Sequence, residues 1–305
     1  MKKKIFALLM GAVMCMGCMG LGGCSSDENS LNGSNSSNAD NSGTGSENSD
    51  SSTDSENSSS SAAGNSDWDY ISNKGEVVVG ITYYEPMNYF DENGELVGFE
   101  TEFTKAVCEK LGVTPVFQEI EWEKKEVELQ SKAIDLIWNG LTVTEDRKEN
   151  MAFSKTYLNN KQVIIVKTEN ADKYTDTASM AGTSIAFESG SAGEDAAKAD
   201  ETLAGCELIG CSAQKDALLE VKAGTADLGI LDYTLAKASI GEGTDYADMQ
   251  ILDSVELASE QYAVGVRLED TETLAKINNA IDELAQDGTL LDIAKKYGVD
   301  DIYAL

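Results

Sequence analysis

The chain has 305 residues, with 54 acidic side chains against 23 basic ones, a net charge of −31 and no histidine. Such acidity excludes the basic face that nucleic-acid binding needs. The missing imidazole removes the usual general base, the commonest metal ligand and every Ser-His or Cys-His nucleophile. With three lysines near the start and eight acidic residues across 25–67 set aside, −26 falls on the remainder, where it favours solubility.

Lys2, Lys3 and Lys4 precede the apolar run Ile5 to Met10, and the chain then reaches Leu21-Gly-Gly-Cys24. A charged start, a short apolar stretch and small residues make an export signal over 1–23, too short for a good transmembrane helix. Leu-Gly-Gly-Cys resembles a lipoprotein box. That resemblance implies cleavage before Cys24 and acylation of its sulfur, palmitate-type chains included, which would hold the protein on the outer face of the cell membrane. Stable anchoring takes two acyl chains. Ordinary secretion with Cys24 as a bystander is the alternative. From Ser25 to Asp67 the chain is almost wholly Ser, Asn, Gly, Asp and Glu, with Leu31 the only large apolar residue. It cannot bury enough surface to offset chain entropy, so 24–67 reads as a lipidated cysteine and a disordered tether reaching about 35–40 Å on average.

The folded part, from Trp68, is long enough for two lobes. Residues 76–81 read as a buried strand and 91–94 as a tight turn. Phe99, Phe103, Val107 and Leu111, spaced by four, mark an amphipathic helix from Gly98. Strand 115–120, helix 122–131 and strand 133–138 continue the alternation, which implies a βαβ sheet in an α/β fold. Strand 161–167 carries the chain out of this lobe. A second alternation follows: strand 183–187, helix 192–199, strand 206–209, helix 213–223 and strand 226–231. Strand 261–266 returns, followed by helices 272–285 and 289–297. The expected division is 68–163 and 254–305 for lobe 1 and 164–253 for lobe 2, the two crossings forming a hinge. Cys108 reads as a buried thiol, and a Cys206–Cys211 disulfide would need an unusual bend. No metal site or cofactor is implied.

The segment Asn139-Gly-Leu-Thr-Val-Thr-Glu-Asp-Arg147 follows an apolar strand and ends in a lone arginine. The hydroxyl of Thr142 and the guanidinium of Arg147 make a clamp for a carboxylate. The competing reading is a solvated Arg147 paired with Glu145 or Asp146.

The chain resembles the family 3 solute-binding proteins, the extracytoplasmic receptors of polar amino acid ABC importers. The markers are Gly98-Phe-Glu-Thr-Glu-Phe…Val-Cys…Leu111, Gly140-Leu-Thr-Val-Thr…Arg147, Ser189-Gly-Ser-Ala-Gly-Glu-Asp195 and Gly224-Thr-Ala-Asp-Leu…Asp232. The resemblance implies a two-lobed periplasmic-binding-protein-like fold of type II, with the ligand cleft between lobes joined by a two-segment hinge. It implies a monomer that binds a free amino acid and docks on permease subunits. Tyr84, two residues before Pro86, and Trp122 match aromatics that cover the ligand. Arg147 and Thr142 match the carboxylate clamp, and Gly140 matches a carbonyl that accepts from the ligand ammonium. Ser191, Ala192 and Gly193 open a helix whose free amides complete the carboxylate cage. Asp232 matches the acidic partner of the ammonium. Glu188 lines the side-chain pocket, and Asn139 lies near the clamp.

Each residue also has a plainer reading: a surface tyrosine for Tyr84, a core residue for Trp122, an N-cap with Glu194 in a capping box for Ser191, a helix cap for Asp232, and a solvent-facing carboxylate for Glu188. A buried Glu188 needs a partner and favours a polar or cationic ligand. The alternative function is an exported dehydratase or lyase that uses Glu188 or Asp232 as acid or base.

Overall fold

The computed structural model describes residues 66–305, so the expected export signal, Cys24 and nearly all of the tether lie outside the described residues. Ser66 accepts from Asp69 N at 3.2 Å, and its own N–H donates to the Asp69 carboxylate at 2.9 Å. This reciprocal cap starts α1 (Asp67–Lys74). The tether was expected to run through Asp67. Its carboxylate instead accepts from the backbone N–H groups of Glu272 and Thr273, at 3.3 and 2.8 Å, so it supplies the acceptor that a helix start lacks.

Lobe 1 begins with β1 (Glu76–Ile81), a small hairpin of β2 (Tyr89–Phe90) and β3 (Leu96–Val97) around the expected turn, α2 (Phe99–Leu111) and β4 (Thr114–Glu119). A 3-10 turn, Trp122–Lys124, leads into α3 (Lys125–Gln130), then β5 (Leu136–Ile137), α4 (Glu145–Lys148) and β6 (Met151–Phe153). The expected helix over 122–131 is thus split, and the expected strand 133–138 keeps only two residues. Phe99, Phe103, Val107 and Cys108 are buried along α2, as their spacing requires. Phe103 meets Trp138 edge-on at 4.8 Å and Tyr157 at 5.3 Å. Burial pushes the Cys108 thiol up to about 12, and Cys108, Cys206 and Cys211 are all free.

Lobe 2 is built from β7 (Leu158–Lys167), β8 (Ser184–Glu188), α5 (Ala192–Ala199), β9 (Glu207–Cys211), α6 (Gln214–Ala223), β10 (Leu228–Asp232), α7 (Tyr233–Ser239) and β11 (Met249–Tyr262). The chain returns through β12 (Gly265–Arg267) to α8 (Thr271–Gln286) and α9 (Thr289–Lys296) on lobe 1. The first sheet has the order β4-β1-β5-β12-β6 and the second β11-β7-β10-β8-β9. β1 runs parallel to β4 and β5, whereas β12 is antiparallel to both its neighbours. In the second sheet β8 is parallel to β9 and β10, and β7 is antiparallel to β10 and β11.

The chain therefore crosses between sheets twice, after Phe153 and after Tyr262. Residues 158–162 and 256–262 pair within the second sheet, so the crossings fall earlier and later than the expected boundaries at 163 and 253. The expected strand 261–266 is two strands in different sheets. Ala263 N donates to Leu141 O and Val143 N to Gln261 O, which ties this crossing to the Asn139–Thr142 segment. An unbroken apolar run conceals the change of partner, because both sheets demand the same burial.

Candidate functional site

Ten residues from both lobes line one narrow cavity of about 10 Å³, room for about one water: Trp122, Asn139, Gly140, Thr142 and Arg147 from lobe 1, and Glu188, Ser191, Ala192, Gln214 and Asp232 from lobe 2. Nine of the expected residues meet there. Tyr84 and Gly193 do not line it. Tyr84 is buried in lobe 1, not on the surface, and its hydroxyl has no partner among the described residues. It abuts Gly140, where an added Cβ would stand 2.0 Å from that hydroxyl; with φ at +55°, only glycine suits the position. Gly193 is packed against its own sheet, where a Cβ would meet Gln162 Oε1 at 2.9 Å and Ile230 at 3.0 Å.

The lobe 1 wall is held from behind. Helix α2 places Glu100 fully inside the lobe, where its carboxylate accepts from Gly140 N at 2.8 Å, the Tyr157 hydroxyl at 2.5 Å and Asn88 Nδ2 at 3.1 Å. Burial raises this carboxyl to about 7 against those bonds. Asn88 Nδ2 also donates to Asn139 Oδ1 at 2.9 Å, and Asn139 Nδ2 donates to Thr82 Oγ1 at 2.6 Å. The side chain of Asn139 is therefore committed inside lobe 1. Arg147 is buried and makes no ion pair with Glu145 or Asp146. Thr144 caps the short helix that carries it by accepting from Arg147 N at 3.2 Å. Its Nη1 donates to Thr142 O at 2.8 Å and its Nη2 crosses to Gly190 O at 3.1 Å. Two carbonyls aim a guanidinium that has further N–H groups to offer an anion.

The lobe 2 wall is acidic. Asp232 ends β10 and occupies the cap position of α7, yet its side chain makes no capping bond. Its carboxylate accepts instead from Gln162 Nε2 at 2.5 Å, Asn160 Nδ2 at 3.0 Å and Gln214 Nε2, while its backbone N–H donates to Gln214 Oε1 at 2.9 Å. Glu260 of β11 shares the amides of Asn160 and Gln162, at 2.5 and 2.9 Å. Burial raises Asp232, and burial together with the Asp232 charge pushes Glu260 up to about 8. Glu188 ends β8 buried, not facing water, and burial followed by the Asp232 charge lifts it to about 8. Ser191 caps α5 by accepting from Glu194 N at 3.1 Å. The expected capping box is displaced by one residue, because Glu194 accepts from Gly190 N, at 2.6 Å.

Sequence reasoning missed Glu100, Lys125, Asn160, Gln162, Gln214 and Glu260. Asn160 and Gln162 alternate on one face of β7, a period-two polar signal at the start of an otherwise β-branched run. Gln214 opens a helix directly after a strand, as Ser191 nearly does. Glu100 and Lys125 carry no local mark that separates them from solvated charges beside an apolar stripe.

The arrangement offers a buried cation and free helix-start amides for an anionic group, and several buried carboxylates for a cationic one. The sequence model of the bacterial extracellular solute-binding proteins, family 3, matches residues 77–300. The chain is 28% identical over 225 residues to the L-arginine-binding protein of Pseudomonas aeruginosa, covering 72% of this chain and 86% of that one. It is similar to an ABC uptake transporter substrate binding protein from Streptococcus pneumoniae with bound histidine, at 31% identity and a TM-score of 0.71, over 78% of this chain and 98% of that one. It is also similar, at 28% identity and a TM-score of 0.68 over 75% and 98% of the two chains, to an ancestral amino acid-binding protein described as a precursor of cyclohexadienyl dehydratase. A family match across nearly all of the folded part, with the two sheets and cleft of its members, leads to one conclusion: this chain belongs to the bacterial extracellular solute-binding proteins, family 3.

Proposed function

We propose that the protein captures a free α-amino acid with a polar, preferentially cationic side chain, closes its lobes on it and delivers it to an ABC permease. Cys24 would carry the lipid that keeps the protein on the outer face of the cell membrane, and residues 25–65 would be the tether that lets it search. The observation that carries the reading is the opposition of Arg147 on lobe 1 to Asp232 on lobe 2 across one cavity. These are complementary charges for the carboxylate and ammonium of an amino acid. Trp122, Gly140, Thr142, Ser191 and Ala192 take the covering, accepting and donating roles that the family resemblance implies, and Asn139 orients the wall. Glu188 supplies the acceptor for a cationic side chain. Relatives whose names specify arginine and histidine support that preference. Neither lobe alone holds both charges, so the ligand binds the closed form better and drives hinge closure.

A thermal-shift screen against the common amino acids, cystine and amine-free carboxylates tests this. A ligand at a hundred times its Kd stabilises the folded state by about 2.7 kcal/mol. The expected result is a shift confined to arginine, lysine, ornithine or histidine. Silence across the amino acids, or a shift with amine-free acids alone, would overturn the reading. A lyase would need Glu188 or Asp232 as its acid or base. Chromatography of bound acids after incubation separates the two, and unaltered ligand is expected.

A further inference from the structure

Lys125 opens α3 and is 3% exposed, a burial that lysine seldom tolerates without an anionic partner. It makes no ion pair among the described residues. Its ammonium donates to Trp122 O at 3.3 Å and across the cleft to Gly190 O at 2.8 Å, and it sits 4.9 Å from the centre of the Trp122 ring. Arg147 Nη2 reaches the same Gly190 oxygen at 3.1 Å. The two cations therefore stand within about 6 Å of each other, where like charges repel each other. Gly190 comes from lobe 2, so only closure brings this arrangement about.

We infer that Lys125 is a brake on closure without ligand, a lobe 1 cation whose burial beside Arg147 is offset only when a ligand carboxylate enters the cleft. The inference rests on the amino-acid reading above, since the carboxylate bound at Arg147 is the anion that relieves both cations. The groups facing Lys125 agree with it. Arg147 opposes its charge, whereas Glu126, Glu188 and Asp195 favour it more weakly. Burial and Arg147 together pull the ammonium down to about 8. Holding the charge there at pH 7 thus opposes closure relative to a neutral side chain. Lys125 is a positioning residue in this scheme and need not touch the ligand.

Hydrogen exchange of the ligand-free full chain at pH 7 tests the brake, read at the cleft segments 122–125 and 188–193. In Lys125→Met and Lys125→Gln those amides should exchange about tenfold more slowly, because the closed form gains population. Lys125→Arg, which keeps the charge, should exchange as the native chain does. Exchange that is unchanged or faster in both neutral variants would overturn the inference, since Lys125 would then be packing or a bond that holds the lobes shut. The same experiment with L-arginine judges the underlying reading separately. If no amino acid protects the native cleft, the amino-acid assignment falls, whatever the ligand-free variants show.

Discussion

Glu188→Gln isolates the contribution of one carboxylate to specificity. Burial and the Asp232 charge raise Glu188 from 4.5 to about 8, so in the unliganded cleft it is largely protonated at pH 6 to 7. A guanidinium or ammonium on the ligand side chain needs the ionised form, and binding releases that proton. Linkage then makes binding about tenfold tighter for each pH unit between 6 and 7 on this account alone. Proton exchange at the α-ammonium site is common to every amino acid and cancels in the comparison. Titration calorimetry of L-arginine and L-glutamine across this range should therefore show a slope of log affinity steeper by about one for arginine. The variant should lose that difference. At pH 7.5 it should bind arginine roughly 10- to 150-fold more weakly, the equivalent of one charge-assisted hydrogen bond, with glutamine changed less than about threefold. Equal losses for both ligands, or an unaltered arginine slope, would refute the assignment. Stability carries a second signature with a fixed sign. A carboxyl whose folded pKa is raised stabilises most below its unfolded pKa near 4.5, and that contribution is lost as pH rises through about 8. The ligand-free native protein should melt at lower temperature at pH 8 than at pH 5, and the variant should show a smaller drop.

Asp232→Asn removes the charge and turns one of the two oxygens that accept from Asn160, Gln162 and Gln214 into a donor, so it should weaken amino acids at least about tenfold more than amine-free carboxylates; equal losses in competition assays would count against its role. Arg147→Ala should abolish amino-acid binding by calorimetry while the circular dichroism spectrum is kept, and near-native affinity would break the clamp. Arg267 is buried in lobe 1 with Asp270 at 2.7 Å and Asp135 at 3.6 Å, and its Nη1 donates to the carbonyls of Leu129 and Ile134. Arg267→Met should lower unfolding free energy by about 3–5 kcal/mol in urea titrations, since it strands two carboxylates away from water. Gly140→Ala should cost about 1–3 kcal/mol and reduce affinity, because its methyl meets the Tyr84 hydroxyl at a backbone angle that side chains avoid.

Legibility in the sequence followed the range of each interaction. The stripe of Phe99, Phe103 and Val107 is a local periodicity, and α2 forms where that pattern places it. The order of strands and helices likewise yields the two lobes. What escaped was decided at long range. Tyr262 and Gly265 look like one strand until the partner sheets are known. Asp67 looks like tether until α8 presents two amides to it. The family resemblance gathered the cavity-lining residues, but it could not tell that Asn139 spends its amide within lobe 1. Nor could it find Glu260 and Lys125, whose importance arises from burial beside Asp232 and Arg147.

The placement of these charges explains why a hinge is useful here. Lobe 1 brings cations to the cleft, Arg147 and Lys125, and lobe 2 brings carboxyls, Asp232 and Glu188, with Glu260 behind them. Each set is self-repelling once buried and ionised. A ligand with charge of one sign relieves only one wall. On the amino-acid reading proposed above, a zwitterion relieves both, so the free energy of closure would select an α-amino acid before any side chain is read. Glu188 would then discriminate among amino acids. The acidity of the rest of the chain is separate from this selection, since surface charge is screened over about 8–10 Å and the cleft residues are buried from solvent.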